Sequence, residues 1–104
     1  MLNKWVGMGR LTTDPKFSKT HDGISVATFS IACDRDKGKE KETDFFPVVA
    51  WRGAAEWADK YMRKGSLVVI EGRLAVRKWT DKDGNERRET EIVTEHLYFS
   101  GDRR

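Results

Sequence analysis

Arg77, Lys78 and Trp79 close a strand-like run that reaches back to Leu67, immediately before Thr80-Asp81-Lys82-Asp83-Gly84-Asn85. Strand side chains alternate faces. Trp79 therefore shares a side with Arg77, Ala75, Arg73 and Glu71, while Lys78, Val76, Leu74, Gly72, Ile70 and Val68 take the other. The second set reads as the buried side, which leaves Trp79 on a polar, basic face with no core to fill. An indole beside arginines on a solvated strand can lie flat against a planar base while the cations neutralise the attached phosphates.

Two further aromatics share one strand-like segment. Phe45 and Trp51 lie six residues apart, so they share a face, and Phe46, Val48 and Ala50 take the opposite one; both faces are partly apolar, as in a strand covered on both sides. Pro47 between them cannot donate to a sheet ladder, so it is expected at an edge or a bulge. The basic residues expected to accompany these rings are Arg10, Arg52, Arg73, Arg77 and Lys78, with Lys4, Lys64 and Arg88 as further candidates. Each alone would be an ordinary solvated charge. Together they would make binding of a polyanion strongly salt-dependent, and no feature offers recognition of one base over another.

The other two tryptophans read as structural. Trp57 falls on the apolar stripe Ala54, Trp57, Ala58, Tyr61 and Met62, spaced for a helix over 53–64. Trp5 alternates with Gly7 and Gly9, which suggests close packing, against another subunit among other options. Arg63 and Lys64 suit a helix C-terminus, and Gly65 suits the left-handed residue beyond it.

The elements that must position these residues are strands over 3–10, 24–33, 43–52, 67–79 and 86–100, with a further short strand over 16–20. The Asp-Gly dipeptide at 83–84 marks a hairpin between the last two. Residues 34–42 are all charged except Gly38, so they read as a mobile loop. Three main strands, one helix and two strands is the order of a mainly β, five-stranded Greek-key barrel of the oligonucleotide-binding (OB) type, with the helix between strands 3 and 4 and a long strand 4–5 hairpin.

A chain of 104 residues fits one domain, and its net charge of +3 is only mildly basic, so the distribution of charge matters more than its sum. No apolar run is long enough to span a membrane. The first residues enter a strand with no signal peptide in front, and a single cysteine, Cys33, suits a reducing, cytoplasmic setting. Catalysis is not expected. His21 and His96 have no companions at metal-ligand spacing. Cys33 sits on an apolar parity, and Gly7-Met8-Gly9 has no helix after it to hold a dinucleotide phosphate. Asp81, Asp83 and Glu86 are explained by turn chemistry without a calcium ion. No cofactor or metal is implied.

The motifs converge on a resemblance. Asn3-Lys4, Gly9-Arg10-Leu11-Thr12, Asp14-Pro15, Val26-Ala27-Thr28-Phe29 and Glu42-Thr43-Asp44-Phe45 are matched in order. Val49-Ala50-Trp51-Arg52, Lys64-Gly65-Ser66-Leu67-Val68, Glu71-Gly72-Arg73-Leu74, Arg77-Lys78-Trp79-Thr80-Asp81, Asp83-Gly84 and Thr90-Glu91 follow. Over roughly residues 3–99 the chain resembles the bacterial-type single-stranded DNA-binding (SSB) family. The resemblance implies an OB barrel, a homotetramer and single-stranded DNA wrapped on it, in replication, recombination and repair. It implies base stacking at Phe45, Trp51 and Trp79, phosphate contacts at Lys4, Lys64 and Lys78, and Trp5 near a subunit interface. Many members carry another stacking aromatic after the second strand. Here that region is Asp34-Arg35-Asp36-Lys37, where Lys37 could still reach a phosphate. Bacterial members also continue into a linker and an acidic tip that recruits replication and repair enzymes. This chain stops at Gly101-Asp102-Arg103-Arg104, so such partners are expected only if the full gene product carries a tail. An RNA-binding barrel, or a protein-interaction module such as a primosome component, is the alternative.

Overall fold

The structure, a computed structural model, describes residues 1–99, the side chains of Lys37 and Phe99 excepted. Its elements are β1 (Trp5–Leu11), β2 (Lys16–Lys19), β3 (Ser25–Lys37), β4 (Glu40–Trp51), α1 (Gly53–Tyr61), β5 (Leu67–Thr80) and β6 (Glu86–Phe99). The expected end of the last strand at residue 100 and the C-terminal residues 101–104 lie outside the described residues.

The sheet runs β1-β5-β6-β4-β3-β2, and β1 also pairs with β3, through Arg10 opposite Ala32 and Leu11 opposite Ile31. That pairing closes five strands into a barrel and leaves β2 as an appendage on β3. The one parallel contact is Val48 and Val49 of β4 against Ile92 and Val93 of β6. Ala27, Phe29, Ile31, Val48, Ala50, Val68, Ile70 and Ile92 fill the barrel, and α1 closes one end with Ala55, Ala58 and the fully buried Met62. The alternation in β3 and β4 places Phe46, Val48 and Ala50 inward and Phe45 and Trp51 together on the outer side; spacing requires the shared face, and the barrel sets which face is inside.

Trp5 is an internal packing residue. Its ring meets Phe46 edge-on at 5.6 Å, and it lies over Gly7, where a Cβ would overlap the indole. Pro47 occupies an edge stretch. Ser30, its partner on β3, accepts from the Thr12 N–H at 3.0 Å and so points its backbone away from β4. The missing N–H of Pro47 therefore faces the side where β6 has not yet joined.

Three expectations are corrected. Residues 34–42 are not a mobile loop but the end of a hairpin, in which Asp34 pairs with Thr43, Arg35 with Glu42 and Lys37 with Glu40. Arg35 there bonds Glu42 at 2.7 Å and Asp44 at 2.8 Å, and the Thr43 hydroxyl donates to Asp34 at 2.8 Å. Alternating charges on facing strands hold a ladder that apolar burial does not. The helix ends at Tyr61, not at residue 64. Met62 turns extended and buries its side chain in the core, and the Arg63 guanidinium donates to the carbonyls of Asp59 and Met62 at 2.8 and 2.7 Å. Finally, the inward parity of β5 is buried only as far as Gly72. Leu74 and Val76, on the same side, are 42% and 55% exposed, because the β5–β6 hairpin leaves the barrel and carries that side into the open.

Gly72 marks the point of departure. The β5–β6 register shifts between Glu71 and Gly72, and a Cβ on Gly72 would overlap the Val93 carbonyl of the facing strand. A bulge of this kind bends and twists a ladder. At the far end Gly84 adopts φ 79°, and the Asp81 carboxylate accepts from the Asp83 and Asn85 N–H groups at 2.9 Å and from Arg87 Nε at 2.7 Å. The Arg87 bond, aided by the two backbone donors, holds the Asp81 carboxyl below the ordinary aspartate range.

Candidate nucleic-acid interface

Along β4, Phe45, Pro47, Val49 and Trp51 share the side away from the barrel core, with Phe45 and Trp51 exposed and Val49 buried. Register extends it sideways, since Phe45 faces Ala32 on β3 and Ala32 faces Arg10 on β1. Cross-strand partners share a face and strands lie about 4.8 Å apart. Arg10 therefore stands two strands from Phe45 on one outer surface. At the other end, Trp51 faces Val26, and the β5–β6 hairpin comes over it. A groove of about 430 Å³ is lined on one side by Val26, Thr28, Pro47, Val49 and Trp51 and on the other by Arg77, Glu89 and Glu91. Trp51 to Phe45 spans about 20 Å at the rise of a strand, room for several nucleotides.

Phe45, Trp51 and Trp79 are 63%, 42% and 38% exposed, whereas Trp5, Phe17, Phe46 and Trp57 pack against the core. Exposure alone does not single these rings out, since Tyr61 and Tyr98 are 44% and 53% exposed. Arg77 lies over Trp79 with its guanidinium carbon 4.1 Å from the ring centroid, a cation–π contact. It also approaches Glu89 at 3.5 Å and Glu91 at 3.6 Å.

The hairpin separates residues that are adjacent in sequence. Arg73, Ala75, Arg77 and Trp79 share the groove side with their partners Val93, Glu91, Glu89 and Arg87. Lys78 and Arg88 face each other on the opposite side, beyond Leu74 and Val76. Neither cation has a carboxylate partner among the described residues, although Glu86 lines the same small hollow at the tip. Two like charges directly opposite each other destabilise a ladder.

The remaining candidates fall into two groups. Arg52 is exposed beside Trp51 and is held at φ 58°, its N–H donating to the Ser25 carbonyl at 2.8 Å. A non-glycine residue there is strained by about 1–3 kcal/mol. Arg10 donates to the Gly65 carbonyl at 2.9 Å, and the Lys64 N–H donates to Asp14 Oδ1 at 2.8 Å, so both sit where the turn after α1 meets the end of β1. Lys37 ends β3, and its side chain lies outside the described residues. Lys4 stands apart, at the base of the hairpin. Its ammonium pairs with Glu71 at 3.0 Å and Glu95 at 3.1 Å. Glu71 and then Glu95 raise the Lys4 pKa, and Lys4 in turn lowers that of Glu71. A lysine so paired has little charge left for a phosphate.

Sequence reading missed three participants. Asn3 clamps the backbone of Leu74, donating to its carbonyl at 2.9 Å and accepting from its N–H at 3.0 Å, and so steadies the hairpin root. Glu89 and Glu91 reach the groove because register sets them opposite Arg77 and Ala75. The period-two pattern of β6 carried that signal once its register with β5 was known. Cys33 is half-buried and its thiol pKa is raised by burial and then by Asp44 and Asp34, which suits packing rather than reaction. Among the described residues no group of three or more His, Cys, Asp or Glu is placed to hold a metal, and no helix is long and apolar enough to cross a membrane.

A closed five-stranded barrel, with its helix between the third and fourth barrel strands and solvent-facing aromatics beside cations, defines an OB-type barrel. The chain belongs to the Single-strand binding protein family, which matches residues 2–100. It is 45% identical over 101 residues to single-stranded DNA-binding protein 3 of Clostridium acetobutylicum, covering 94% of this chain and 70% of that one. It is 40% identical over 102 residues to the single-stranded DNA-binding protein of Caldanaerobacter subterraneus, covering 95% and 68%. Among solved structures it is similar to the Plasmodium falciparum SSB complex with ssDNA, with a TM-score of 0.87, 30% identity and 95% of each chain covered.

Proposed function

We propose that this chain binds single-stranded DNA with little regard to sequence, stacking bases on Phe45, Trp51 and Trp79 and holding phosphates with Arg10, Arg52, Arg73, Arg77, Lys78 and Arg88. Lys64 and Lys37 extend this set at its margins, and Lys4 contributes least because Glu71 and Glu95 already engage it. The observation that carries the reading is the exposure of these three rings beside cations on the β4 face and the β5–β6 hairpin, while Trp5, Phe17, Phe46 and Trp57 pack against the core. The relatives named single-stranded DNA-binding proteins and the ssDNA complex of similar fold support it.

The role is binding and protection of unpaired DNA during replication, recombination and repair, in the cytoplasm with the nucleoid, without catalysis and without cofactor or metal. We further propose assembly into a homotetramer. The edge of β1 from Trp5 to Gly9 opposite β5 has no strand partner among the described residues, and Val6 and Met8 expose 63% and 58% of their surface. An unpaired edge with apolar outward side chains is a template for another copy, with Trp5 behind it.

Titration with oligo-dT at low salt is expected to quench tryptophan fluorescence, and high salt to restore it. Absence of quenching, or equal competition by duplex DNA, would refute DNA-strand binding. Tighter competition by a matched RNA oligomer would move the function to RNA. Native mass spectrometry showing only monomer at micromolar concentration would refute the tetramer.

A further inference from the structure

The groove proposed to take DNA contains two acids. Glu89 and Glu91 line it together with Trp51 and Arg77, and Glu91 is well covered, with 18% of its side chain exposed. Carboxylates in the path of a polyanion weaken its binding unless they do something else. Their nearest cation is Arg77, which covers Trp79 at 4.1 Å. That is the distance at which a base would stack on the same face. The carboxylate contacts, at 3.5 and 3.6 Å, are longer than the roughly 2.7–2.9 Å of a strong charge-assisted bond. Arg35, by contrast, is gripped by its two acids at 2.7 and 2.8 Å. Arg77 is therefore held over the indole, but loosely enough to exchange.

We propose that Glu89 and Glu91 are built-in phosphate surrogates that keep Arg77 on the stacking face of Trp79, so that single-stranded DNA binds by replacing both halves of this latch. A phosphate takes the guanidinium from the two carboxylates, and a base takes the place of the guanidinium on the ring. The inference rests on the DNA-binding reading for its consequence, but the latch itself exists without DNA. Released carboxylates take up cations from solution and so offset part of the counterions that the DNA releases. The latch thus lowers both the affinity and the salt dependence of the site.

The test has two arms. Without DNA, acrylamide quenching of Trp79, obtained by difference against W79F, is expected to rise in the E89Q/E91Q double variant. Unchanged accessibility overturns the latch whether or not the protein binds DNA. With oligo-dT, E89Q/E91Q is expected to bind about threefold to tenfold tighter, the worth of one or two exposed ion pairs, and with a steeper salt slope. The same two substitutions in an R77A background are expected to give no such gain, because no guanidinium remains to be released. A gain that persists without Arg77 would be a general charge effect and would overturn the proposal. Failure of the unaltered protein to bind oligo-dT would instead refute the DNA-binding reading, leaving the acrylamide arm to decide the latch.

Discussion

Two long antiparallel hairpins run out from one barrel, and they treat their charges in opposite ways. On β3–β4, Arg35 is bonded to Glu42 and Asp44, and Asp34 receives the Thr43 hydroxyl. On β5–β6, Lys78 stands opposite Arg88 with no acid partner among the described residues, and Trp79 stays exposed under a loosely held Arg77. Both ladders are rich in charge. The difference shows that a count of basic residues says little about polyanion binding. What matters is whether each charge is already matched within the protein. The first hairpin uses its ions to build a ladder without a core. The second pairs Arg77 and Arg87 with acids but leaves Lys78 and Arg88 facing each other.

The largest effect that would sharpen this contrast lies at the root of the second hairpin. Gly72→Ala places a Cβ against the Val93 carbonyl and is expected to cost about 3 kcal/mol or more of folding stability, read as a lowered denaturant midpoint. Gly38→Ala, at the tip of the first hairpin with open space around it and φ 65°, should cost only about 1 kcal/mol. Equal losses would show that the bulge does not set the second hairpin's departure.

Next in size is stacking. Trp79→Ala should weaken oligo-dT binding by about 1–3 kcal/mol per base lost, in fluorescence anisotropy with labelled DNA. Phe45→Ala, at the foot of the first hairpin, should cost less because its ring is smaller. The reverse order would move the centre of the site to the other arm.

Charge comes third. K78Q/R88Q should lower the slope of log affinity against log salt by about 1.4, two single-strand phosphate contacts, and should do so equally on all sequences. Arg35→Gln should leave that slope unchanged and cost under about 1 kcal/mol of stability. A slope change from Arg35 would break the comparison.

The smallest effect concerns pH. Asp81 has its folded pKa below the ordinary 3.8, chiefly through Arg87. Its contribution is therefore fully present above that value and is lost as pH falls through the lowered folded pKa. The protection of the Asp83 and Asn85 amides, which donate to this carboxylate, relative to intrinsic exchange at each pH should be steady from neutral pH down to the ordinary aspartate value and fall below it. In D81N that pH step should be absent.

Much of this was legible in the chain. The period-two runs, the single helical stripe and the Asp-Gly turn locate the strands, the helix and the second hairpin. The shared face of Phe45 and Trp51 survives intact, because alternation along a strand is local geometry, whereas which face looks outward needed the closed barrel. The helix end was misplaced because Met62 is drawn inward by the core rather than by its own backbone preference. The first hairpin was read as a loop because a stretch of charges carries no apolar period. Its pairing comes from ion contacts between strands that composition does not reveal.

Sequence alone decided which rings share a face, since alternation sets Trp79 among basic residues and Phe45 with Trp51, and the helical stripe gathers Trp57 with apolar neighbours. It could not decide which cations are free. Lys4 and Arg35 look as available in the chain as Lys78 and Arg88. Whether a charge has a partner depends on residues brought near by register and closure: Glu71 and Glu95 for Lys4, Glu42 and Asp44 for Arg35, Glu89 and Glu91 for Arg77. The facing of a side chain is set by its own backbone, whereas its electrostatic partners are set by the neighbouring strand, and only the closed barrel determines which strand that is.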